Sequence, residues 1–284
     1  MGEYFLLNGK IVKNSDAFLG ITDLALLRGF GIFDFCRTQN GKPLLLEKYL
    51  DRLFNSAQCI DLKIPHSKEF VKESIDQLLE KNGIIESGIR MVLTGGYTEN
   101  GYTPGDPNFF ILIEKINFPD PSYYDKGIKL ILHEHQRELS HIKSINYLTP
   151  ISIRKKIEQA NAFDVLYHSK GRILEVSRSN IFIVKNNKLI TPRENILRGI
   201  TRATVIRLAK GNFKVEERDI HIEELFQADE VFMTGTTKRI LPVRKIDDHI
   251  FIKEGLGKVT GSLKSLYQEF ENSTSAITGP GDQG

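Results

Sequence analysis

Cysteine is scarce: Cys36 and Cys59 are the only two among 284 residues, with no CxxC pair and no metal-ligand spacing. A disulfide framework is therefore not expected, no metal site is assigned, and a reducing cytoplasm fits. Charge of one sign is missing too, since 39 Lys and Arg stand against 36 Asp and Glu, interspersed along the chain. That balance gives no reason to expect nucleic acid or an anionic membrane as a partner, and leaves room for a small anion held by a few placed arginines. No apolar run approaches membrane-spanning length, and the opening MGEYFLLNGK has no apolar signal core, so a soluble intracellular protein is expected. At 40% hydrophobic, the chain can bury a sizeable core in one large domain or two of ordinary size.

Asn8-Gly9 and Asn40-Gly41, each between apolar runs, predict two hairpins with tight primed turns. Leu46, Tyr49, Leu50, Leu53 and Ala57 have the spacing of one helical face. A second helix is predicted over about 67–81, with Ser67 as N-cap and Gly83 beyond its end. IRMVLTGG and NFFILIEKI read as strands around the glycine-rich loop 95–106. The two prolines and closing glycine of NFPDPSYYDKG (117–127) predict a connector that pairs with nothing regular. Strands are then expected at 128–134, 163–168, 172–184 and 230–234, and helices at about 150–160 and 202–210. The sum is an α/β protein with a first domain over 1–116, a second over 128–273, and a polar tail at 274–284.

Lys143 lies in HIKSINYL, among apolar neighbours that would lower its pKa and free its amine as a nucleophile towards an aldehyde. An isolated lysine of this kind is most often a solvated surface residue; its companions raise its standing. Tyr147, four residues on, is placed to hydrogen-bond a phenolic oxygen or to pack as an ordinary aromatic. Glu175 sits in the apolar stretch RILEVSRSNIFIV, where alternation puts Ile173, Glu175 and Ser177 on one face and Leu174 and Val176 on the other. A carboxylate there must be paired, with a protonated pyridine nitrogen or with a basic residue such as Arg172.

Three features suit a phosphate: Arg52, outside the apolar stripe of its helix; Arg198-Gly199-Ile200-Thr201, ahead of a helix; and Thr234-Gly235-Thr236-Thr237 on a tight turn. Each alone is an ordinary cap, turn or surface group. An amine, a carboxylate in an apolar stretch and two hydroxyl-and-glycine turns, in this order along the chain and with Arg52 ahead of them, are the parts that hold pyridoxal phosphate. His133, His135 and His141 form no metal-ligand pattern.

With those residues in place, the chain resembles the class IV pyridoxal-phosphate aminotransferases, from RGFGIFDF at 28–35 to LPVRKID at 241–247. That group contains D-amino-acid aminotransferases, branched-chain aminotransferases, (R)-amine transaminases and the related aminodeoxychorismate lyases. The segment EVSRSNIFIVKNNKLITPRENILRGITR is close to its signature. The resemblance implies Lys143 as the Schiff-base lysine and Glu175 as partner of the pyridine nitrogen. It implies Arg52, Ile200, Thr201 and Thr236 around the phosphate, with Gly199 and Gly235 in the same turns, and Leu197 against the ring face. It also implies a fold-type-IV architecture, a smaller N-terminal α/β domain and a larger C-terminal pseudo-barrel with the cofactor between them, and a homodimer.

Departures bear on the substrate. The loop TGGYTENGYTPGDPN lacks the Arg-x-His pair of the best-known D-amino-acid enzymes. Arg28 and Arg178 stand where uncharged residues are usual, and Lys238-Arg239 replaces a small residue and a Glu. A bulge or turn would be needed for Arg178 to share a site with Glu175. Arg28, Phe33, Arg178 and Thr237 are the candidate substrate contacts. The expected activity is transamination between an amino acid, with D favoured, and a 2-oxo acid such as 2-oxoglutarate or pyruvate. Phe30, Ile32 and Phe33 keep a branched-chain substrate open, and a lyase acting on aminodeoxychorismate is the alternative from another reaction class.

Overall fold

Asparagine and glycine shape the first two hairpins. Asn8 and Gly9 have φ of 47° and 81°, and Asn40 and Gly41 have 53° and 77°, the left-handed values a two-residue primed turn requires. The first hairpin pairs β1 (Tyr4–Leu7) with β2 (Lys10–Lys13), and the second pairs β3 (Gly31–Gln39) with β4 (Lys42–Pro43). With β5 (Ser87–Thr94) and β6 (Phe109–Lys115) they form a six-stranded antiparallel sheet of order β2-β1-β6-β5-β3-β4. The computed structural model describes residues 1–252 and 255–277.

The helix Leu46–Gln58 buries Tyr49, Leu50, Leu53 and Ala57, the stripe read from the sequence. Lys68–Asn82 follows, its first turn capped by the Ser67 hydroxyl, which accepts from Phe70 N at 3.2 Å. A cap of this type contributes about 1 kcal/mol. Gly83 ends the helix at φ 61°, in the left-handed conformation of a C-terminal cap.

The chain divides into two units. The first comprises Met1–Asn117 and Ile142–Asn146, with the last turn of the C-terminal helix from Ser273; the second comprises Phe118–His141 and Tyr147–Asn272. The expected connector 117–127 is corrected in one respect: it contains the short helix Tyr123–Lys126, and the Tyr124 hydroxyl donates to Lys238 O at 3.1 Å.

Among the described residues the second unit has ten strands: β7 (Ile128–Glu134), β8 (Asp164–Ser169), β9 (Arg172–Val176), β10 (Asn180–Lys185), β11 (Lys188–Thr191), β12 (Lys214–Glu217), β13 (Ile220–His221), β14 (Glu230–Gly235), β15 (Arg239–Ile246) and β16 (His249–Ile250). Their order is β12-β11-β10-β14-β15-β7-β8-β9-β13, with β16 on β15. Both faces are buried. Ile181, Ile183, Val231 and Met233 join one apolar cluster, whereas Phe182, Val184 and Phe232 join another, as alternation along β10 and β14 dictates. The Phe182 and Phe232 rings stack with centroids 5.0 Å apart, a pair worth about 1 kcal/mol beyond its burial.

Four boundaries differ from expectation. The helix at 150–160 is two short ones, Leu148–Ser152 and Arg154–Gln159. The strand at 172–184 is β9 and β10, separated by a tight turn in which Val176 and Ser179 exchange backbone hydrogen bonds. The helix expected at 202–210 runs Ile200–Ala209. The tail begins inside a helix, Lys258–Ile277, and its residues 278–284 lie outside those described.

Strict alternation also fails in β9. Leu166 pairs with Val176 and His168 with Ile173, so two steps along β8 match three along β9. That is a β-bulge, with Leu174 and Glu175 together opposite Tyr167. In consequence Ile173 and Val176 enter the same apolar cluster and Leu174 enters another. The bulge re-aims the one carboxylate of the strand.

Candidate active site

Lys143 is carried by the first unit. Its segment lies along β3: Phe33 N donates to Lys143 O at 2.9 Å and Ile145 N donates to Gly31 O at 3.1 Å. Gly31 permits this approach, because a Cβ there would stand 2.7 Å from Leu93 O and 3.1 Å from Ile145 Cδ1. The lysine is half-buried, and its Nζ lies 4.6 Å from the centre of the buried Phe33 ring. The amine is thus held against an aromatic face by a backbone fixed on both sides.

Arg52 belongs to the same unit. Its Nε and Nη2 donate to Asp34 Oδ2 and Oδ1 at 2.8 and 2.7 Å, and Asp34 is 1% exposed. This bidentate pair locks the guanidinium plane and takes two of its roughly five N–H donors. Arg28, at the end of the helix Leu24–Arg28, is exposed, with Nη1 donating to Leu27 O at 3.2 Å.

Glu175, in the second unit, is buried on the bulge. Arg137 Nε donates to its Oε1 at 2.8 Å and Leu197 N to its Oε2 at 3.0 Å. Arg137 Nη2 in turn donates to Ser140 O at 2.6 Å. Arg172, the basic partner anticipated from the sequence, pairs instead with Asp219 at 2.8 Å. Tyr147 is half-buried and precedes the short helix Leu148–Ser152.

The features of this unit that suit an anion converge on Ser179 and Asn180. Asn180 Nδ2 donates to Leu197 O at 2.7 Å, and Asn180 pairs with Thr234 across β10 and β14. A Cβ on Gly199 would fall 2.1 Å from Asn180 Oδ1, and one on Gly235 2.9 Å from Ser179 Oγ. The start of the helix Ile200–Ala209 and the turn after β14 therefore meet across these two residues. Gly199 gives that helix no side-chain cap, so its first N–H groups keep their donors for an anion. Beside them, Ser179 Oγ and Thr234 Oγ1 are buried without a hydrogen-bond partner among the described residues. Unmet buried hydroxyls, an uncapped helix start and two glycines forced by close approach form a cradle that fits a phosphate. Thr201 is buried at the helix start, and Thr236 and Thr237 are half-buried in the turn.

Arg178, in the turn after β9, is exposed, with Nη2 3.9 Å from Asp164 Oδ2. Lys238 is half-buried close by, and desolvation, reinforced by the Arg178 charge, pulls its amine from 10.5 down to about 8. Sequence reading did not find Arg137, Ser179 or Asp164 as members of this region. Ser179 and Asp164 stand near residues it did single out, but only the fold discloses their contacts.

Residues 31–246 match the family Amino-transferase class IV, and the chain belongs to it. Pyridoxal 5′-phosphate is the cofactor of this family, and the chain is an aminotransferase by that membership. It is 34% identical over 275 residues to a Methanocaldococcus jannaschii protein named, provisionally, as a branched-chain-amino-acid aminotransferase, covering 93% of this chain and 94% of that one. It is 32% identical over 273 residues to the D-alanine aminotransferase of Listeria innocua, again covering 93% and 94%. Its fold superposes on a T.th. branched-chain amino acid aminotransferase solved with pyridoxamine 5′-phosphate, with a TM-score of 0.89, 26% identity, and 96% and 95% of the two chains covered. The fold-type-IV architecture expected from the sequence is thereby established.

Proposed function

We propose that the protein transfers an amino group between an amino acid, D in configuration, and a 2-oxo acid such as 2-oxoglutarate or pyruvate. The observation that carries the cofactor assignment to individual residues is the second unit's pairing of a buried, doubly anchored Glu175 with the unmet cradle at Gly199 and Gly235.

Bound there, pyridoxal phosphate supplies an electron sink for negative charge at the substrate α-carbon. Glu175, its orientation fixed by Arg137 and Leu197 N, would accept from the protonated pyridine nitrogen and so keep its proton in place. Ile200, Thr201, Gly235 and Thr236 hold the phosphate, with the helix start at Gly199 supplying backbone donors, and Arg52 is a further phosphate contact. Leu197 would cover the ring, and the Tyr147 hydroxyl would donate to its phenolic oxygen. Lys143 would hold the cofactor through its amine, and the same amine, once free, would serve as the base that takes the proton from the substrate α-carbon.

Arg28, Arg178 and Thr237 bind the substrate carboxylate, with Phe33 shaping the side-chain pocket. Support for a carboxylate-bearing substrate is that both arginines are exposed, with Arg178 Nη2 as far as 3.9 Å from Asp164 Oδ2. A branched-chain L-amino acid is the second reading, favoured by the buried apolar ring of Phe33 beside Lys143 Nζ. A homodimer is supported by exposed Phe18, Ile21 and Leu26 on the first unit. A reducing compartment, the cytoplasm, suits the free thiols of Cys36 and Cys59.

The test is a half-reaction followed in the absorption spectrum of the holoenzyme, with D-glutamate, D-alanine, L-leucine and L-glutamate added separately. Conversion of the cofactor band by D-glutamate or D-alanine alone is the expected result. Conversion by L-leucine assigns the branched-chain substrate. Silence towards all four, with pyruvate released from aminodeoxychorismate, assigns the lyase reaction.

A further inference from the structure

Arg239 occupies an unusual backbone position. It opens β15 immediately after the turn Thr236–Lys238, and its φ is 54°. The residue closing such a hairpin turn in the left-handed region is ordinarily glycine or asparagine. Among the described residues the other non-glycine positive-φ sites are mostly Asn or Asp (Asn8, Asn40, Asp61, Asn161, Asn186, Asn187, Asn195 and Asp247), with Leu45, Leu139 and Lys170 the other exceptions. An arginine here sets a conformational cost against whatever its side chain does.

That side chain reaches the C-terminal helix. Arg239 Nε lies 2.9 Å from Oε2 of Glu271, whose side chain is only 3% exposed, and the guanidinium sits 5.4 Å over the Phe118 ring. One residue earlier, Lys238 O accepts from the Tyr124 hydroxyl at 3.1 Å. Two consecutive residues at the end of the turn are therefore tied to separate elements of the second unit. A buried carboxylate opposite a guanidinium is poorly replaced by either partner alone, because each leaves the other's charge uncompensated.

We propose that Arg239, through Glu271, is a positioning residue that holds the Gly235–Lys238 turn in register for the cofactor phosphate, so that the C-terminal helix tunes cofactor affinity. The inference rests on the assignment of Gly235 and Thr236 to that phosphate. It also accounts for the basic residue at 239, for which the catalytic assignment has no use.

The dissociation constant of pyridoxal phosphate is to be measured by titrating the full apo chain, alongside the apo melting temperature. Variants are R239G, R239K, E271Q, T201V and T236V. R239G is informative because glycine relieves the backbone and deletes only the side chain. The expected result is that R239G and E271Q weaken binding on the order of tenfold and R239K less, with T201V and T236V also weakened. R239G or E271Q binding as tightly as wild type while T201V and T236V bind weakly overturns the positioning role and leaves the phosphate assignment intact. Unchanged affinity in T201V and T236V overturns the phosphate assignment and this inference with it. A lowered apo melting temperature in R239G without loss of cofactor affinity marks Arg239 as a stability residue only, and also overturns it.

Discussion

Arg137 and Glu175 are joined by a 2.8 Å hydrogen bond between Nε and Oε1, with side chains 18% and 6% exposed. Thirty-eight residues separate them in the chain, and the bulge in β9 brings the carboxylate to the guanidinium. Removing either partner leaves a largely desolvated charge.

Arg137→Met is therefore expected to cost about 3 kcal/mol of stability, the lower end of the range for a broken buried pair because Arg137 keeps some solvent. Urea denaturation of wild type, R137M, E175Q and the double variant measures it. Costs that simply add in the double variant would show that the two side chains are not coupled.

Borohydride reduction of the holoenzyme followed by peptide mass mapping should place the cofactor on Lys143. Lys143→Ala should carry no reducible linkage and lose about 10² to 10⁴ in kcat. Lys238 is the competing amine, since its affinity for a proton is already pulled down to about 8. A label recovered on Lys238 in the wild-type protein would remove Lys143 from the reading.

Lys238 also has a pH signature. Its folded pKa of about 8 lies below the ordinary 10.5, so between these values the unfolded chain binds the proton more fully. Stability contributed through this residue must then rise as pH climbs from about 8 to about 10.5. Lys238→Met should be most stable relative to wild type at neutral pH, the gap narrowing across that window. A gap that stays constant in melting curves from neutral pH to the top of that window rules out the titration.

Gly199→Ala sets a methyl group 2.1 Å from Asn180 Oδ1. Displacing Asn180 breaks its bond to Leu197 O, so a loss of roughly 1–3 kcal/mol is expected. Gly211→Ala is the control, having no atom within 4 Å of the added carbon, and should stay within about 0.5 kcal/mol. Equal melting temperatures for the two variants would mean that Asn180 yields without cost.

The parts of the fold legible in the sequence are those fixed by local rules. Asn-Gly pairs announced the two hairpins, Ser67 and Gly83 bracketed a helix, and the 3.6-residue stripe from Tyr49 to Ala57 gave another. Phe182 and Val184 alternate with Ile181 and Ile183 as a strand buried on both faces must. What stayed hidden depends on distant partners. A β-bulge has no sequence signal when it falls on Leu174 and Glu175 rather than on glycine. Arg172, the nearby basic residue expected to pair with Glu175, binds Asp219, and Arg137, which no local signal marked, takes the carboxylate instead. The helix at 200 began two residues before its expected start, because Gly199 offers no side-chain cap to mark it. Nor did composition reveal that Arg52 would be bound to Asp34, since that contact joins a helix to a strand laid down earlier.

The five residues Ile142–Asn146 belong to the first unit, although the chain on either side of them belongs to the second. A gene cut after residue 117 would therefore yield a first piece without Lys143, and a second piece carrying that lysine with no β3 to lay it against. Neither half can be inherited, swapped or expressed alone with its chemistry intact. On the proposed assignment of Lys143 as the nucleophile, that lysine is a stitch in the covalent chain, and it obliges the two halves to evolve as one protein.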